Sequence, residues 1–171
     1  LGFMEKLAGR PEIYDQVEVM TWGKGAGNAL GQDGSADMVV TFRNLHSLIR
    51  DDQLDAFLDA AFRVLKPGGI LGVVQHRGKP LSARDPGEVD IAGEAASGYV
   101  PQGYVVDKIT GAGFVLDGQS EINANPRDVK DYPEGVWTLP PSLALGDTDR
   151  EKYLAIGESD RMTLRFLKPA D

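Results

Sequence analysis

The sequence predicts a single α/β domain in which parallel strands are flanked by helices and a C-terminal antiparallel strand completes the sheet. Two continuous apolar runs, 38–42 and 70–74, enclose a segment with the periodicity of an amphipathic helix. A strand, a helix and a strand in this order are typical of a right-handed crossover. The last run, 161–168, alternates apolar and polar residues, as in an antiparallel strand with one wetter face.

The first segment, 1–35, is predicted to contain a helix, a short strand and a glycine-rich loop. Its opening residues resemble the end of a helix, and Val17–Met20 is the apolar run that predicts the strand. The loop carries a G-x-G-x-G pattern at 23–27, as nucleotide-binding loops do. About ten residues separate it from the next strand, so no helix follows to present its N-terminal amides to a phosphate. We interpret the loop as a connection.

Residues 36–77 are predicted to form the core strand–helix–strand unit. The apolar residues of its helix share one face: Leu54, Phe57, Leu58, Ala61, Phe62 and Leu65. Asp51 or Asp52 is the expected N-cap. Pro67 and the two glycines after it end the helix and turn the chain into the second strand. Because both strands lack alternation, we expect each to be buried on two faces.

Residues 78–171 are predicted to form a second helix, further strands and a long excursion on the substrate side. The segment 78–98 is polar and broken by glycine and proline, which indicates a surface excursion. Pro101 opens a helix that Gly111 or Gly113 ends, and 114–122 is the next strand. We expect the strand at 161–168 to pair antiparallel with it. The intervening segment is too long for a hairpin loop, which indicates a functional loop or local structure.

Composition excludes several classes of partner and site. The net charge of -8 and a pI of about 4.8 argue against a nucleic-acid partner. No apolar stretch approaches the roughly twenty residues of a membrane span, so we expect no membrane partner. With no cysteine and only two histidines, we expect no thiolate nucleophile, no disulfide and no metal site built from these residues.

Two histidines are the candidate catalytic residues. His46 and His76 both follow the ends of predicted parallel strands, where active sites of α/β proteins form. Imidazole titrates near neutrality, so either side chain is suited to act as a general base. The alternatives are that His46 caps the segment after it and that His76 pairs with a carboxylate.

Candidate substrate-binding residues are arginines near the strand ends and polar or aromatic residues of the long excursion. Arg43 and Arg77 are suited to hold a carboxylate or phosphate, or else form structural salt bridges. The other candidates lie after the predicted strand at 114–122: Asn123, Asn125, Arg127, Tyr132 and Trp137. The polar ones either close over the acceptor or form turns around Pro126. The aromatic ones either line an apolar pocket or pack the excursion.

Several stretches resemble a known family. GNAL, DGSADMVVTFRNLH and LDAAFRVLKPGGILGVV resemble the second half of a class I S-adenosylmethionine-dependent methyltransferase. VVQHRG, SEINANPRD and the segment from DYPEGVW to DRMTL resemble an uncharacterised bacterial family of predicted methyltransferases. The resemblance implies an incomplete Rossmann-like sheet, S-adenosylmethionine as cofactor and a small-molecule acceptor as partner.

The resemblance also implies which residues contact the methyl donor. Asn28 and Ala29 match the family positions beside the adenine. The next group matches the strand end that borders the methionine portion and the acceptor: Phe42, Arg43, Asn44 and His46. The glycine-rich stretch then shapes a loop on the adenine side.

The chain departs from the family pattern at its beginning, because the family's first strand, its glycine-rich cofactor loop and its ribose-binding acid would lie upstream of Leu1. We therefore expect a truncated domain, or one repaired as a homodimer or by strand exchange through an open sheet edge. The alternative function is a catalytically inactive remnant that serves as a binding or scaffold module. We expect a cytoplasmic location, with an export signal upstream of Leu1 as the alternative.

Overall fold

The computed structural model describes residues 2–23, 25, 27–83 and 90–170. Within these residues the strands are β1 (Ala36–Phe42), β2 (Leu65–His76), β3 (Val115–Ser120) and β4 (Arg161–Leu167). The helices are α1 (Phe3–Ala8), α2 (Pro11–Tyr14), α3 (Leu45–Arg50), α4 (Leu54–Val64), α5 (Ile91–Ala96), α6 (Gln102–Gly111) and α7 (Arg150–Ile156). Short 3-10 turns lie at Leu81–Ala83 and Gly135–Thr138.

The four strands form one mixed sheet in the order β1-β2-β4-β3. β1 and β2 are parallel, whereas β4 runs antiparallel to both β2 and β3. The predicted fold class and the antiparallel pairing of the last strand are confirmed. β4 therefore lies between β2 and β3 and joins the two halves of the chain.

The amphipathic helix is confirmed as α4, but its predicted N-cap is wrong. Asp51 caps the C-terminus of α3, and Gln53 is the N-cap of α4. Asp52 lies between them with a φ of 54°, which turns the chain sharply from one helix into the next. At the other end, the Lys168 ammonium donates hydrogen bonds of 2.7 Å to the carbonyls of Phe62 and Leu65, which stabilises the end of α4.

The core lies on one face of the sheet, beneath α4 and α6. Its fully buried side chains include residues of both helices and of the two central strands: Leu58, Ala61, Leu71, Val73, Val105, Ile109 and Phe166. In β4 the apolar residues of the predicted alternation are buried: Met162, Leu164 and Phe166. The expectation of one wetter face on this strand is confirmed.

The expectation that β1 and β2 are buried on two faces is wrong. Leu71 and Val73 are buried, but Ile70 and Val74 are only half-buried. In β1, Met38, Val40 and Phe42 are 55%, 51% and 61% exposed. These three residues form the open surface of β1, which is the edge strand of the sheet among the described residues. The apolar composition of the two strands is typical of a sheet that is covered on both faces. In the described part of the chain, helices cover only one face of this sheet.

The predicted strand at Val17–Met20 is also wrong, because these residues are irregular and their apolar side chains are exposed. No strand in the described part of the chain pairs with them, and an apolar run alone cannot form a ladder. The glycine-rich stretch that follows bends sharply, since the Gly23 amide donates to the Gly27 carbonyl at 3.1 Å. Lys24 and Ala26 lie outside the described residues. Trp22 anchors the bend by packing edge-on against Phe57.

Both excursions contain local structure of their own. The first includes α5, whose N-cap Asp90 accepts a hydrogen bond from the Gly93 amide; 84–89 lie outside the described residues. The second, between β3 and β4, includes α7 and the turn Gly135–Thr138. The expectation of local structure in this long segment is confirmed, and the same segment forms one wall of the cavity described next.

Candidate functional site

A cavity of about 260 Å³ lies at the C-terminal ends of β1 and β2. Phe42 and Arg43 border it from the end of β1, His46 from α3, and His76 from the end of β2. The long excursion and the start of β4 supply the rest of the lining: Val136, Trp137, Pro140, Pro141, Ser142, Glu158, Ser159 and Arg161. Ligands of open α/β sheets bind outside the carboxyl ends of strands, so this is the candidate site.

The turn after β1 fixes Arg43 beside the cavity. Its backbone is left-handed, with a φ of 55°, and its amide donates a 2.7 Å hydrogen bond to the Val74 carbonyl. The Thr41 hydroxyl donates to the Asn44 side chain and closes the same turn. A left-handed conformation is unfavourable for a residue other than glycine and persists only where its surroundings impose it. In the described part of the chain, no carboxylate pairs with the Arg43 guanidinium.

His46 is buried, and its surroundings define its tautomer. The Gln75 side-chain nitrogen lies 2.9 Å from the Gly98 carbonyl and 3.3 Å from His46 Nδ1. The Gly98 carbonyl can only accept a hydrogen bond, so the Gln75 side chain must direct its amide nitrogen, and not its oxygen, to this side. Nδ1 of His46 therefore accepts a hydrogen bond from the same nitrogen. Burial lowers the pKa of His46, so the ring is neutral with its proton on Nε2. This tautomer makes His46 a hydrogen-bond donor through Nε2.

His76 is paired with a hydroxyl and not with a carboxylate. Its Nδ1 lies 2.6 Å from Ser159 Oγ, and its ring centroid lies 5.8 Å from that of His46. Burial, followed by the nearby His46, Arg161 and Arg43, lowers the pKa of His76 to about 3. The imidazole is therefore neutral at physiological pH. Sequence reasoning missed Ser159, which no motif marks and which lies 83 positions from its partner.

The apolar wall of the cavity comes from the long excursion. Trp137 contacts His46 edge-on, with ring centroids 5.7 Å apart. Val136 and the two prolines Pro140 and Pro141 extend this wall. Trp137 is thus the one predicted substrate-side residue of the excursion that lines the cavity. A proline pair beside a tryptophan was the available signal for the rest of the wall, and sequence reasoning did not use it.

Arg77 lies outside the cavity and forms structural salt bridges. Its guanidinium nitrogens lie 2.6 Å from Glu121 and 3.4 Å from Asp160. The hydrogen bond to Glu121, opposed by burial and assisted by Asp160, raises the pKa of Arg77. Of the two predicted alternatives for Arg77, the structure matches the salt bridge.

The predicted asparagines bond to other segments of the chain and do not line the cavity. Asn123 Nδ2 donates to Thr163 Oγ1 at 2.8 Å. Asn125 Nδ2 donates to the carbonyls of Ile156 and Glu158, at 2.9 Å and 2.6 Å. These bonds join the start of the excursion to its end. The turn alternative, and not closure over an acceptor, matches their placement.

Arg127 and Tyr132 also lie outside the cavity. The Arg127 amide donates to the Asn125 side chain in a local turn, and the Arg127 side chain is exposed. The Tyr132 hydroxyl accepts a hydrogen bond from the Val129 amide, and its ring packs edge-on against Tyr153. Tyr132 therefore packs the excursion, which was the alternative prediction for it.

The predicted donor-binding residues fall into two groups. Phe42 and Arg43 line the cavity, and Asn44 precedes α3 as its N-cap. Asn28 and Ala29 are exposed and lie beside α4, where the Asn28 carbonyl accepts a hydrogen bond from Arg63. The side chain of Phe42 is exposed, and its contact with a methyl donor stays a prediction. Whether the two groups hold one molecule stays a prediction.

Comparison with known proteins identifies the fold. The sequence profile of the family described as "Methyltransferase domain" matches residues 12–73. A candidate sarcosine dimethylglycine methyltransferase from Galdieria sulphuraria superposes with a TM-score of 0.55 at 15% identity, covering 98% of this chain and 64% of its own. The chain has the class I methyltransferase fold. Its mixed sheet, with β1 and β2 parallel and β4 antiparallel, is the part of that fold that carries the cavity.

Two further solved structures are similar to this chain. The 4+2 cyclase SpnF superposes with a TM-score of 0.50 at 18% identity, covering 83% of this chain and 53% of its own. A SAM-dependent methyltransferase from Methanosarcina mazei is 16% identical, with a TM-score of 0.48, and covers 84% of this chain and 65% of its own. This chain thus spans about half to two thirds of the length of these proteins. No curated protein sequence matches it.

None of the helices in the described ranges is long and apolar enough to cross a membrane. The longest, α4, has 11 residues and carries charged side chains on its outer face. Its apolar face is part of the core.

Proposed function

We propose that this protein transfers a methyl group from S-adenosylmethionine to a small-molecule acceptor. The observation that carries the proposal is the position of the cavity, at the carboxyl ends of the parallel strands of a methyltransferase fold. Its volume of about 260 Å³ suits a small molecule and not a macromolecular segment. The net charge of -8 supports the further proposal that nucleic acid is not the acceptor. A cytoplasmic location is proposed with the same function.

In this proposal the donor lies beside the open surface of β1. Phe42 would contact the apolar portion of the donor, and Asn44 would contact its methionine end. The adenine of the donor would lie against Asn28 and Ala29. When bound, the donor supplies a methyl group activated by a sulfonium. The protein's own contribution is mainly positioning, because holding two reactants in line accounts for much of the barrier lowering in such reactions.

The excursion would exclude water and orient the acceptor. Trp137 and the two prolines form an apolar wall, and Trp137 adjoins His46. His46, which carries its proton on Nε2, would donate a hydrogen bond to the acceptor. His76 would take the acceptor's proton on Nε2, with Ser159 accepting a hydrogen bond from Nδ1 and so fixing the tautomer.

The pH dependence of the reaction follows from the environment of His76. A base is active in its unprotonated form, and the pKa of His76 is lowered to about 3, so His76 is already active throughout the neutral range. We expect kcat/KM, which reports the free enzyme, to show no decline as pH falls through about 6.5, the ordinary histidine pKa. Measuring kcat/KM at saturating donor from about pH 5 to 9 checks this; a half-maximal rate near pH 6.5 would contradict it.

The alternative proposal is a catalytically inactive module that binds or scaffolds. The observation that favours it is the open surface of β1, beside which the described chain supplies no further strand. The 4+2 cyclase, whose name describes a different reaction, has the same fold, and function resides in sites and not in folds. The donor-binding and transfer experiments decide between the two proposals.

We also propose that a second copy of the chain covers Met38 and Val40 on the open surface of β1, while Phe42 at the strand end contacts the donor. An exposed apolar edge strand is a template for association, and Val40 lies at its centre with about half its surface exposed. Val40→Lys is expected to weaken self-association at least tenfold, as measured by sedimentation equilibrium. Leu154→Lys, on an exposed position of α7, is the matched control and should leave association unchanged. A wild-type protein that is monomeric at all concentrations would contradict the proposal.

Transfer itself tests the proposed function. The protein is incubated with S-adenosylmethionine carrying a labelled methyl group and with pooled small hydroxy- and amino-compounds. Product is then separated from donor and counted. Label in a small-molecule product that depends on the protein supports methyl transfer. If the protein binds the donor but no product carries the label, the result would support the inactive module.

A further inference from the structure

The charges of the side chains that line the cavity do not cancel one another. Five line it: Arg43, His46, His76, Glu158 and Arg161. Arg161 Nη1 lies 2.6 Å from Glu158, so these two charges offset one another. Burial keeps both histidines neutral. Arg43 is left as the cation that has no carboxylate partner within the described residues.

The backbone that carries the unpaired guanidinium is held in position beside the cavity. Arg43 has a φ of 55°, and its amide is tied to the Val74 carbonyl of the neighbouring strand. Such strain is typical of residues whose placement serves a site. A planar guanidinium with free N–H groups matches a carboxylate, which it binds through two parallel hydrogen bonds.

The remaining walls fit a compact apolar body. Trp137, which contacts His46 edge-on, lines the cavity together with Val136 and the proline pair. The volume of about 260 Å³ lies just below the range of ligand pockets, about 300 to 1,000 Å³. The space therefore suits a molecule of about the size of one substituted ring.

We propose that the acceptor is a small carboxylic acid whose carboxylate binds Arg43 and whose apolar body lies against Trp137. This inference rests on the proposed function and specifies the substrate class of the same site. The carboxylate is the anchor, and a separate hydroxyl or amine of the acceptor faces His76.

Binding of such an acid also changes His76. Arg43 and Arg161 are among the groups that lower its pKa, together with burial and His46. A carboxylate bound to Arg43 offsets the positive charge of the guanidinium. The pKa of His76 is therefore expected to rise when the acid binds. His76 then becomes a better proton acceptor in the complex than in the free protein. His46, whose neutral ring is fixed by Gln75, is expected to respond less.

Benzoate and benzamide are the test pair, because they have the same shape and differ in charge. The protein has only two histidines, so the imidazole signals of a nitrogen-15-labelled sample are few, and His46→Gln assigns them. We expect benzoate to shift the His76 signals in a saturable titration and benzamide to bind at least tenfold more weakly. Equal effects of the two compounds would overturn the proposal.

Variants locate the anion. Arg43→Gln is expected to reduce benzoate affinity at least tenfold and to leave benzamide unaffected, with Arg43→Lys intermediate. Arg10→Gln is the matched control, since Arg10 pairs with Glu12 in the N-terminal helices and does not line the cavity. Unchanged thermal melting verifies that each variant is folded. Benzoate affinity unaffected in both Arg43 variants would overturn the proposal.

The methyl donor has a carboxylate of its own, so competition separates the two sites. S-Adenosylhomocysteine is titrated by calorimetry with and without saturating benzoate. Independent binding supports the proposal, whereas mutually exclusive binding assigns Arg43 to the donor and overturns it. If benzoate binds through Arg43 but S-adenosylhomocysteine does not bind at all, the proposed methyl transfer fails while the carboxylate site stands.

Discussion

Replacing Asp128 by alanine is expected to lower the free energy of unfolding by about 3 kcal/mol. The Asp128 carboxylate is 3% exposed and accepts hydrogen bonds from the Tyr99 hydroxyl at 2.9 Å and from the amides of Lys130 and Asp160 at 2.9 Å and 2.7 Å. The burial of Tyr99 and the carboxylate beside it raise the pKa of the hydroxyl, which stays a donor. Alanine leaves these buried donors without an acceptor, and each unpaired group carries a desolvation penalty. Urea denaturation measures the loss.

Two variants serve as controls for Asp128. Asp131→Ala changes an exposed carboxylate three positions away and is expected to alter stability by less than about 0.5 kcal/mol. Tyr99→Phe removes one donor and keeps the acceptor, so a smaller loss, about 1 kcal/mol, is expected. A loss for Asp128→Ala no greater than that for Asp131→Ala would show that this network does not anchor the excursion.

Replacing His76 by glutamine is expected to lower kcat about 100-fold or more, because general base catalysis typically contributes that much. The KM for the donor should not change, since His76 lies on the acceptor side of the cavity in the proposed arrangement. Steady-state rates at saturating donor, with thermal melting to verify folding, provide the measurement.

Ser159→Ala tests the role assigned to the partner of His76. The hydroxyl fixes the imidazole tautomer through a 2.6 Å contact, so its loss should lower kcat less than the loss of His76 itself, about tenfold. A kcat unaffected by His76→Gln would remove the proposed base, and a larger effect of Ser159→Ala than of His76→Gln would reverse the two roles.

Local patterns predicted the elements whose structure depends on local physics. The apolar stripe of α4 and the alternation of β4 are each set by residues close together in the sequence, and each is confirmed. The predicted helix end at Pro67 is wrong, because α4 ends at Val64 and Pro67 lies within β2. Burial depends instead on what lies across the sheet. The run 38–42 has no alternation, yet its strand is an exposed edge in the described structure. Val17–Met20 has an apolar pattern but no neighbouring strand to pair with.

The candidate site was only partly predictable for the same reason. Positions after strand ends are readable from sequence, and His46, His76, Phe42 and Arg43 all line the cavity. The contact between His76 and Ser159 joins segments far apart in the chain, and no local signal marks it. Conversely, the asparagines at 123 and 125 have the composition of a binding loop but hold backbone carbonyls and a threonine. Turn chemistry and ligand chemistry use the same side chains.

The most direct test of the central claim is a calorimetric titration of S-adenosylhomocysteine into the protein, with the oligomeric state recorded in the same buffer. Methyl transfer by this domain predicts saturable binding at micromolar strength, weakened by Phe42→Ala and unaffected by Leu154→Ala on the exposed side of α7. No heat of binding, from a folded protein at concentrations that populate every oligomer, would contradict methyl transfer and leave the inactive module as the account of this fold.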